Sequence, residues 1–336
     1  MSVAIHCAAP RPRVSCALAA MLAAALFCAA RADIVCGTWN MKWFPSGRAE
    51  HRAPAAKEAA AFSEAARILS ESVAASRSAP GDGVVLFLQE LRDASCATGL
   101  VSRIGVQGLK VASCSAFRNR DRRLGWQQCA IATTLPVLAS GSELWRQSHG
   151  AQPPRGYSWA LVDGGADGLV ACFCVHLKSN YGDVTDLDRM YTWMKRMVCA
   201  EQLIAEAPQV RAPDGRRPAR FIVAGDFNTD IDAPEFDQEK TVRMFFADGW
   251  RDAFEGVSEA RRATHPGRGR KYRSSRLDYI LLKNWDAPAV RRVFGGSAVS
   301  DHDAVFVRVA AGARQRPALP VVPAEEDYEG GGSGAD

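Results

Sequence analysis

The chain has 336 residues, 47% apolar and 24% charged, with 28 Gly, 17 Pro and 10 Cys. That balance is globular and excludes a collagen-like, coiled-coil or wholly disordered chain. The formal charge of +5, from 42 basic and 37 acidic residues, is too mild to announce a nucleic-acid binder by itself. In chain order, residues 1–32 read first as a signal peptide. Arg11 and Arg13 precede the uncharged, Ala- and Leu-rich run Val14–Ala30, and Ala30-Arg31-Ala32 offers small residues where a signal peptidase cuts. The run is at the short end for a membrane span, so an uncleaved anchor is the competing reading. Export, to the periplasm or outside the cell, follows. Removing the leader takes away Cys7, Cys16 and Cys28 and leaves an odd number of cysteines, so at least one thiol is free or pairs between chains. No Cys/His spacing suggests zinc.

Residues 33–311 alternate strand-like and helix-like segments and read as one α/β domain. Short apolar runs at Ile34–Trp39, Val84–Leu88, Gln128–Thr133, Leu169–Val175, Phe221–Ala224, Tyr279–Leu282 and Ala304–Val309 have the composition of buried strands. Pro54 opens a helix with Phe62, Ala65, Leu69 and Val73 on one face. A second helix is expected over Asp188–Ala207, its stripe of Met190, Met194, Met197 and Ile204 packing into the core. Cys172 and Cys174 share one face of a strand and are not expected to bond each other. Residues 312–336, with three spaced prolines and a Gly/Ser end, read as a flexible tail.

Function is carried by what borders the apolar runs. Asn40 follows the first, Gln89-Glu90 the second, and His176-Leu177-Lys178-Ser179 the fourth. Gly225-Asp226-Phe227-Asn228 follows the fifth; Leu277-Asp278 and Ser300-Asp301-His302 lead into the last two. Taken singly, each is a cap, a turn or a surface carboxylate. Together at the strand ends they converge on one sheet edge, where hard-oxygen ligands for Mg²⁺ or Ca²⁺ and acid/base groups meet.

The ordered set, from Trp39-Asn40 to Ser300-Asp301-His302, resembles the endonuclease/exonuclease/phosphatase superfamily of DNase I-like metallophosphoesterases. The resemblance implies a four-layer α/β sandwich, two mixed sheets face to face with helices outside. It implies Glu90 as the principal Mg²⁺ ligand, helped by Asn40 and Asp301, with Mn²⁺ or Ca²⁺ as substitutes. Asp226 then orients or deprotonates the attacking water, and Asn228 bonds a phosphate oxygen. Asp278 fixes the tautomer of His302, which acts as base or stabilises the pentavalent state. His176 binds the phosphate or protonates the leaving oxygen. Lys178, Ser179 and Arg276 are further phosphate-binding candidates.

Two basic clusters bear on the substrate. Arg261 to Arg276 holds seven basic residues and no acidic one, and Arg118, Arg120, Arg122 and Arg123 precede Trp126. Beside a phosphate-handling edge they favour a nucleic acid, whose backbone dominates affinity. The expected activity is an exported, Mg²⁺-dependent endonuclease, with no stable membrane insertion once the leader is gone. A sphingomyelinase, or another phospholipid or small-molecule phosphoesterase of the same superfamily, is the alternative, although no exposed aromatic hairpin is evident in the sequence. A catalytically idle binding module would need missing ligands, and none of these residues is missing.

Overall fold

Alternation along the strands explains the architecture of the computed structural model, which describes residues 32–48, 53–119, 121–125, 127–267 and 273–310. The expected leader up to residue 31, the expected tail, Arg120, Trp126 and the basic residues Arg268, Arg270 and Lys271 lie outside the described residues. One six-stranded sheet contains β1 (Ile34–Phe44), β2 (Gly83–Leu91), β3 (Lys110–Cys114), β4 (Gln128–Thr133), β11 (Val290–Phe294) and β12 (Ala304–Val309), in the order β11-β12-β1-β2-β4-β3. The second holds β5 (Val137–Leu144), β6 (Gly156–Asp163), β7 (Leu169–His176), β8 (Arg220–Asp226), β9 (Arg251–Asp252) and β10 (Asp278–Lys283), in the order β5-β6-β7-β8-β10-β9. Each sheet is mixed: β1–β2 and β7–β8 are parallel and their other pairs antiparallel.

Because side chains point to opposite faces in turn, each apolar strand supplies two cores at once. Val85 and Phe87 of β2 meet Cys172 and Cys174 of β7 and Ile222 and Ala224 of β8 between the sheets. Val84, Leu86 and Leu88 face outward onto Ala65, Leu69 and Val73 of α1 (Ala55–Ser76) and Leu100 of α2 (Ala94–Val101). On the far side, Phe173, Val175 and Val223 pack on Cys199 and Leu203 of α3 (Asp186–Glu206) and Phe245 of α4 (Thr241–Ala247). Helices, sheet, sheet and helices make four layers, as the resemblance implies. All seven described cysteines are free thiols, six of them buried. No helix among the described residues is long and apolar enough to cross a membrane.

Of the stripe expected on α3, Ile204 packs against the core but the N-terminal methionines do not. Met190 and Met194 are exposed, and the helix instead buries Val198, Cys199, Ala200 and Leu203 together with Arg196. Arg196 is fully buried in a two-pronged ion pair with Glu239, at 2.7 and 2.5 Å, and also donates to the Lys178 carbonyl. That anchor sets the helix rotation and turns its N-terminal apolar residues outward.

Candidate active site

The site is the polar end of the inter-sheet core. Cys174, Ala224 and Ile280 face inward, so two residues along each strand His176, Asp226 and Asp278 face the same way. Register then aligns them: His176 lies opposite Asp226 in the parallel pair, and Asp278 opposite Asp226 in the antiparallel one. Gly225 makes this possible, since at φ 149° a Cβ there would sit 1.9 Å from the Val175 carbonyl oxygen.

From the other sheet, Cys36 faces inward and Asn40 continues its row. β1 does not end at Asn40 as its composition suggests; it runs on to Phe44 through a register shift, with Lys42 and Trp43 left-handed at φ 45° and 50°. β2 likewise contains Glu90, at φ 60° within a register shift between Leu88 and Leu91. Such bulges re-aim side chains. Asn228 is left-handed too, at φ 54°, so four of the non-glycine residues with positive φ gather around one site. Strain of this kind persists only where the surroundings over-determine it.

The side chains meet closely. Asn40 Nδ2 donates to Glu90 Oε1 at 3.1 Å and to Asp226 Oδ2 at 2.8 Å. His176 Nε2 lies 3.6 Å from the same two oxygens, while its Nδ1 is buried without a partner. The Trp43 amide donates to Glu90 Oε2 at 3.0 Å. Asn228 donates its backbone N–H to Asp226 Oδ1 and its Nδ2 to Asp226 Oδ2, at 2.8 and 2.9 Å. His302 Nδ1 is 2.8 Å from Asp278 Oδ2, and its Nε2 is 3.9 Å from Asp226 Oδ2.

Burial and charge set the protonation states. Burial pushes the Asp226 carboxyl up to about 7, with Asp278 adding to the rise and His302 opposing it. Burial alone would depress His302, but Asp278 and then Asp226 outweigh it and hold the imidazolium up to about 10. His176 goes the other way: burial, then Arg155 and His302, push it well below its ordinary value, and it stays neutral. One histidine is therefore a cation and the other a neutral ring, although both face Asp226.

The buried oxygens fit a divalent cation. Glu90 and Asp226 bring carboxylate oxygens to the same Asn40 nitrogen with no Lys or Arg between them, and hard oxygen donors suit Mg²⁺. Donor atoms of Asp226, Asp278 and His302 lie within 4.8 Å of one another, as do those of His265, Asp301 and His302. Asp301 is held by the Lys42 ammonium at 2.7 Å, which keeps its carboxyl below the usual range against the effect of burial.

The outer candidates divide. Arg276 is buried, both guanidinium nitrogens 2.6 Å from Asp252 and the group stacked 4.2 Å from the Tyr279 ring. The phosphate contact expected of it gives way to this internal ion pair. Lys178 donates to the carbonyls of Ser179 and Tyr181 and so ties its own loop; Ser179 is half-buried beside it. The Asn228 amide nitrogen is occupied by Asp226 and the Leu177 carbonyl, so it positions Asp226.

Some residues of the site left no sequence signal. Thr264 donates to Asp278 Oδ2 at 2.7 Å from within a basic loop. Arg155 donates to the His176 and Leu177 carbonyls. Trp39 Nε1 donates to the His302 carbonyl at 2.9 Å, and Ser300 Oγ to the Asn40 carbonyl at 2.6 Å, so the Ser300–His302 turn is pinned to β1. Trp39 and Ser300 stand beside motif residues in the sequence, whereas Thr264 and Arg155 do not.

Comparison with known proteins agrees with this fold. No curated protein matches the chain. Among solved structures it is similar to an endonuclease/exonuclease/phosphatase from Beutenbergia cavernae, with a TM-score of 0.58 at 17% identity over 84% of this chain and 72% of that one. It is also similar to D. rerio TDP2 complexed with a single-strand DNA product, with a TM-score of 0.54 at 17% identity over 82% of this chain and 98% of that one. Sphingomyelinase C from Streptomyces griseocarneus gives 0.51 at 15% identity over 83% and 99%. The Endonuclease/Exonuclease/phosphatase family profile matches residues 37–302, which include every residue of the cluster from Asn40 to His302, and the chain belongs to that family.

Proposed function

We propose that this chain is an exported, Mg²⁺-dependent endonuclease that hydrolyses DNA or RNA phosphodiester bonds by in-line attack of water. Members of its family are hydrolytic phosphoesterases that generally depend on a divalent metal. The observation that carries the reading is the pairing of Glu90 and Asp226 carboxylates, buried together, with the His302 imidazolium on their rim. Glu90, Asn40 and Asp301 would hold the metal, which when bound offsets the charge gathering on the phosphate oxygens. Asp226, its proton affinity raised by burial, accepts the proton of the attacking water. His302, kept charged by Asp278, stabilises the added negative charge on the phosphorus oxygens. Neutral His176 hydrogen-bonds the phosphate, and as the water oxygen bonds phosphorus the P–O bond to the leaving oxygen breaks, that oxygen taking its proton from solvent. Export rests on the leader sequence. The nucleic-acid choice is supported by exposed Arg118, Arg122 and Arg123 and by the likeness to a protein crystallised with single-strand DNA.

A second reading, a phospholipid phosphodiesterase, is favoured by a different feature. Tyr181, Val184, Leu187 and Met190 are 91%, 85%, 74% and 54% exposed, and Tyr191 and Met194 continue the face along α3. This apolar surface follows directly on the His176–Lys178 segment, and a lipid surface would cover it. The deciding experiment incubates the mature protein with plasmid DNA, RNA, sphingomyelin vesicles and inositol phosphates, with Mg²⁺ or EDTA. Turnover of nucleic acid with Mg²⁺ and none with EDTA is expected; turnover of sphingomyelin alone overturns the nuclease reading.

A further inference from the structure

A cleft of about 730 Å³ opens on the side of the sandwich where β11 and β9 are edge strands. Its wall runs into the catalytic cluster. Asp303 lines it and follows His302; Ala263 lines it and precedes Thr264, which bonds Asp278. The Asp303 N–H donates to the Thr264 carbonyl at 2.7 Å, closing the two segments together. β11 pairs with β12 so that Phe294 faces Ala304, which brings the end of β11 to the same rim.

Two cations at this cleft differ from their neighbours. Arg262 is committed to Asp232, Arg273 to Glu235, and Arg291 to the Ala253 carbonyl. Arg261 and Arg292 are exposed, line the cleft, and have no side-chain partner among the described residues. Half-buried Phe294, packed edge-on against Phe306, lines the same cleft. The one carboxylate of the lining, Asp303, is turned against Gly295 and held by the Gly296 N–H. Free guanidinium groups with an aromatic ring in the same lining match a nucleotide: phosphate on the cations, sugar or base against the ring. A bare phosphate would leave most of this volume unfilled. The exposed apolar face belongs to α3, on the outer layer of the other sheet, so a lipid does not explain the arginines here.

We propose that this cleft seats the nucleotide adjoining the scissile phosphate, with Arg261 and Arg292 on its phosphate and Phe294 against its sugar or base. The proposal rests on the nuclease reading and names how that substrate is gripped beyond the reacting bond. The test compares wild type with the double variant Arg261→Gln/Arg292→Gln, using a fluorescein-labelled single-stranded DNA 20-mer. Anisotropy titrations in EDTA should show affinity about tenfold weaker, and a salt slope shallower by roughly 1.4 for two lost phosphate contacts on a single strand. With Mg²⁺, KM for the 20-mer should rise about tenfold, while hydrolysis of bis(4-nitrophenyl) phosphate, too short to reach the cleft, changes less than twofold. Arg261→Lys/Arg292→Lys should recover most of the affinity. Equal affinity and slope in the Gln variant, or a wild type that does not bind the 20-mer, overturns the cleft. A wild type that binds the 20-mer through these arginines yet hydrolyses only lipid retains the cleft and defeats the nuclease reading.

Discussion

In the proposed mechanism the chemistry turns on Asp226, whose proton affinity burial raises, and on His302, which Asp278 and Asp226 keep charged. Asp226→Ala and His302→Ala should each lower kcat by on the order of 10²–10⁴, the range for losing a positioned proton-transfer group. Circular dichroism should show both variants folded, and unchanged turnover in either would remove that residue from the mechanism. Thr264 acts through Asp278, to which it gives both a hydroxyl proton and a hydroxyl acceptor for the backbone N–H. Thr264→Val should cost about 1 kcal/mol of transition-state stabilisation, a roughly fivefold lower kcat/KM. These residues were unequally legible. Asp226, Asp278 and His302 border apolar runs and stand out, whereas Thr264 comes from a loop whose composition suggests only solvated charge. Arg276 shows the converse: a basic residue beside a catalytic aspartate reads as a phosphate ligand, but Asp252 is 24 residues earlier and only folding pairs them.

At the scale of elements, the buried Arg196–Glu239 pair joins α3 to the segment before α4 and also grips the loop carrying Lys178 and Asn180. Glu239→Gln should destabilise the protein by about 3–5 kcal/mol, since it leaves a buried guanidinium without its counter-charge. A thermal melt within a degree or two of wild type would refute this. The turn between α1 and β2 is closed by Asp82, which accepts from the N–H groups of Ser78, Ala79 and Asp33 and from the Ser78 hydroxyl. Burial would raise its carboxyl, but these bonds outweigh it and leave the group below its ordinary value. A depressed folded-state value means stability present above the unfolded-chain value, near 4, and lost as pH falls through the folded one. Asp82→Asn should therefore cost about 1.5–3 kcal/mol at pH 7, with the gap closing in denaturant titrations as pH falls through the lowered folded-state value. A gap independent of pH would mean the loss is one of shape and not of charge. The strands bearing Glu90 and Asn40 were visible as apolar runs, but their bulges were not. A left-handed Glu or Lys has no compositional signature, since the surrounding structure imposes it.

For the molecule as a whole, two sheets are clamped around carboxylates that repel one another at their rim. A bound divalent cation should relieve that repulsion and stabilise the fold by about 2.7 kcal/mol at a concentration 100 times its Kd. Differential scanning calorimetry should show a higher Tm with Mg²⁺ than with EDTA, and the increment should shrink in Glu90→Gln. An equal Mg²⁺ effect in that variant would place the ion elsewhere. EDTA should also abolish turnover.

The sequence by itself determined the class of fold and the cluster at its edge. Period-2 and helical patterns are local, and polar residues at the ends of apolar strands carry their meaning wherever the strands go. It determined less of β5, β9 and β11, where half-exposed or very short strands lack an apolar run. Tertiary structure decided which face α3 buries, because Arg196 found Glu239 and turned Met190 and Met194 to solvent. It also decided which arginines remain free: every guanidinium has the same charge in the sequence, and only the positions of distant carboxylates tell a paired one from one left over for a substrate.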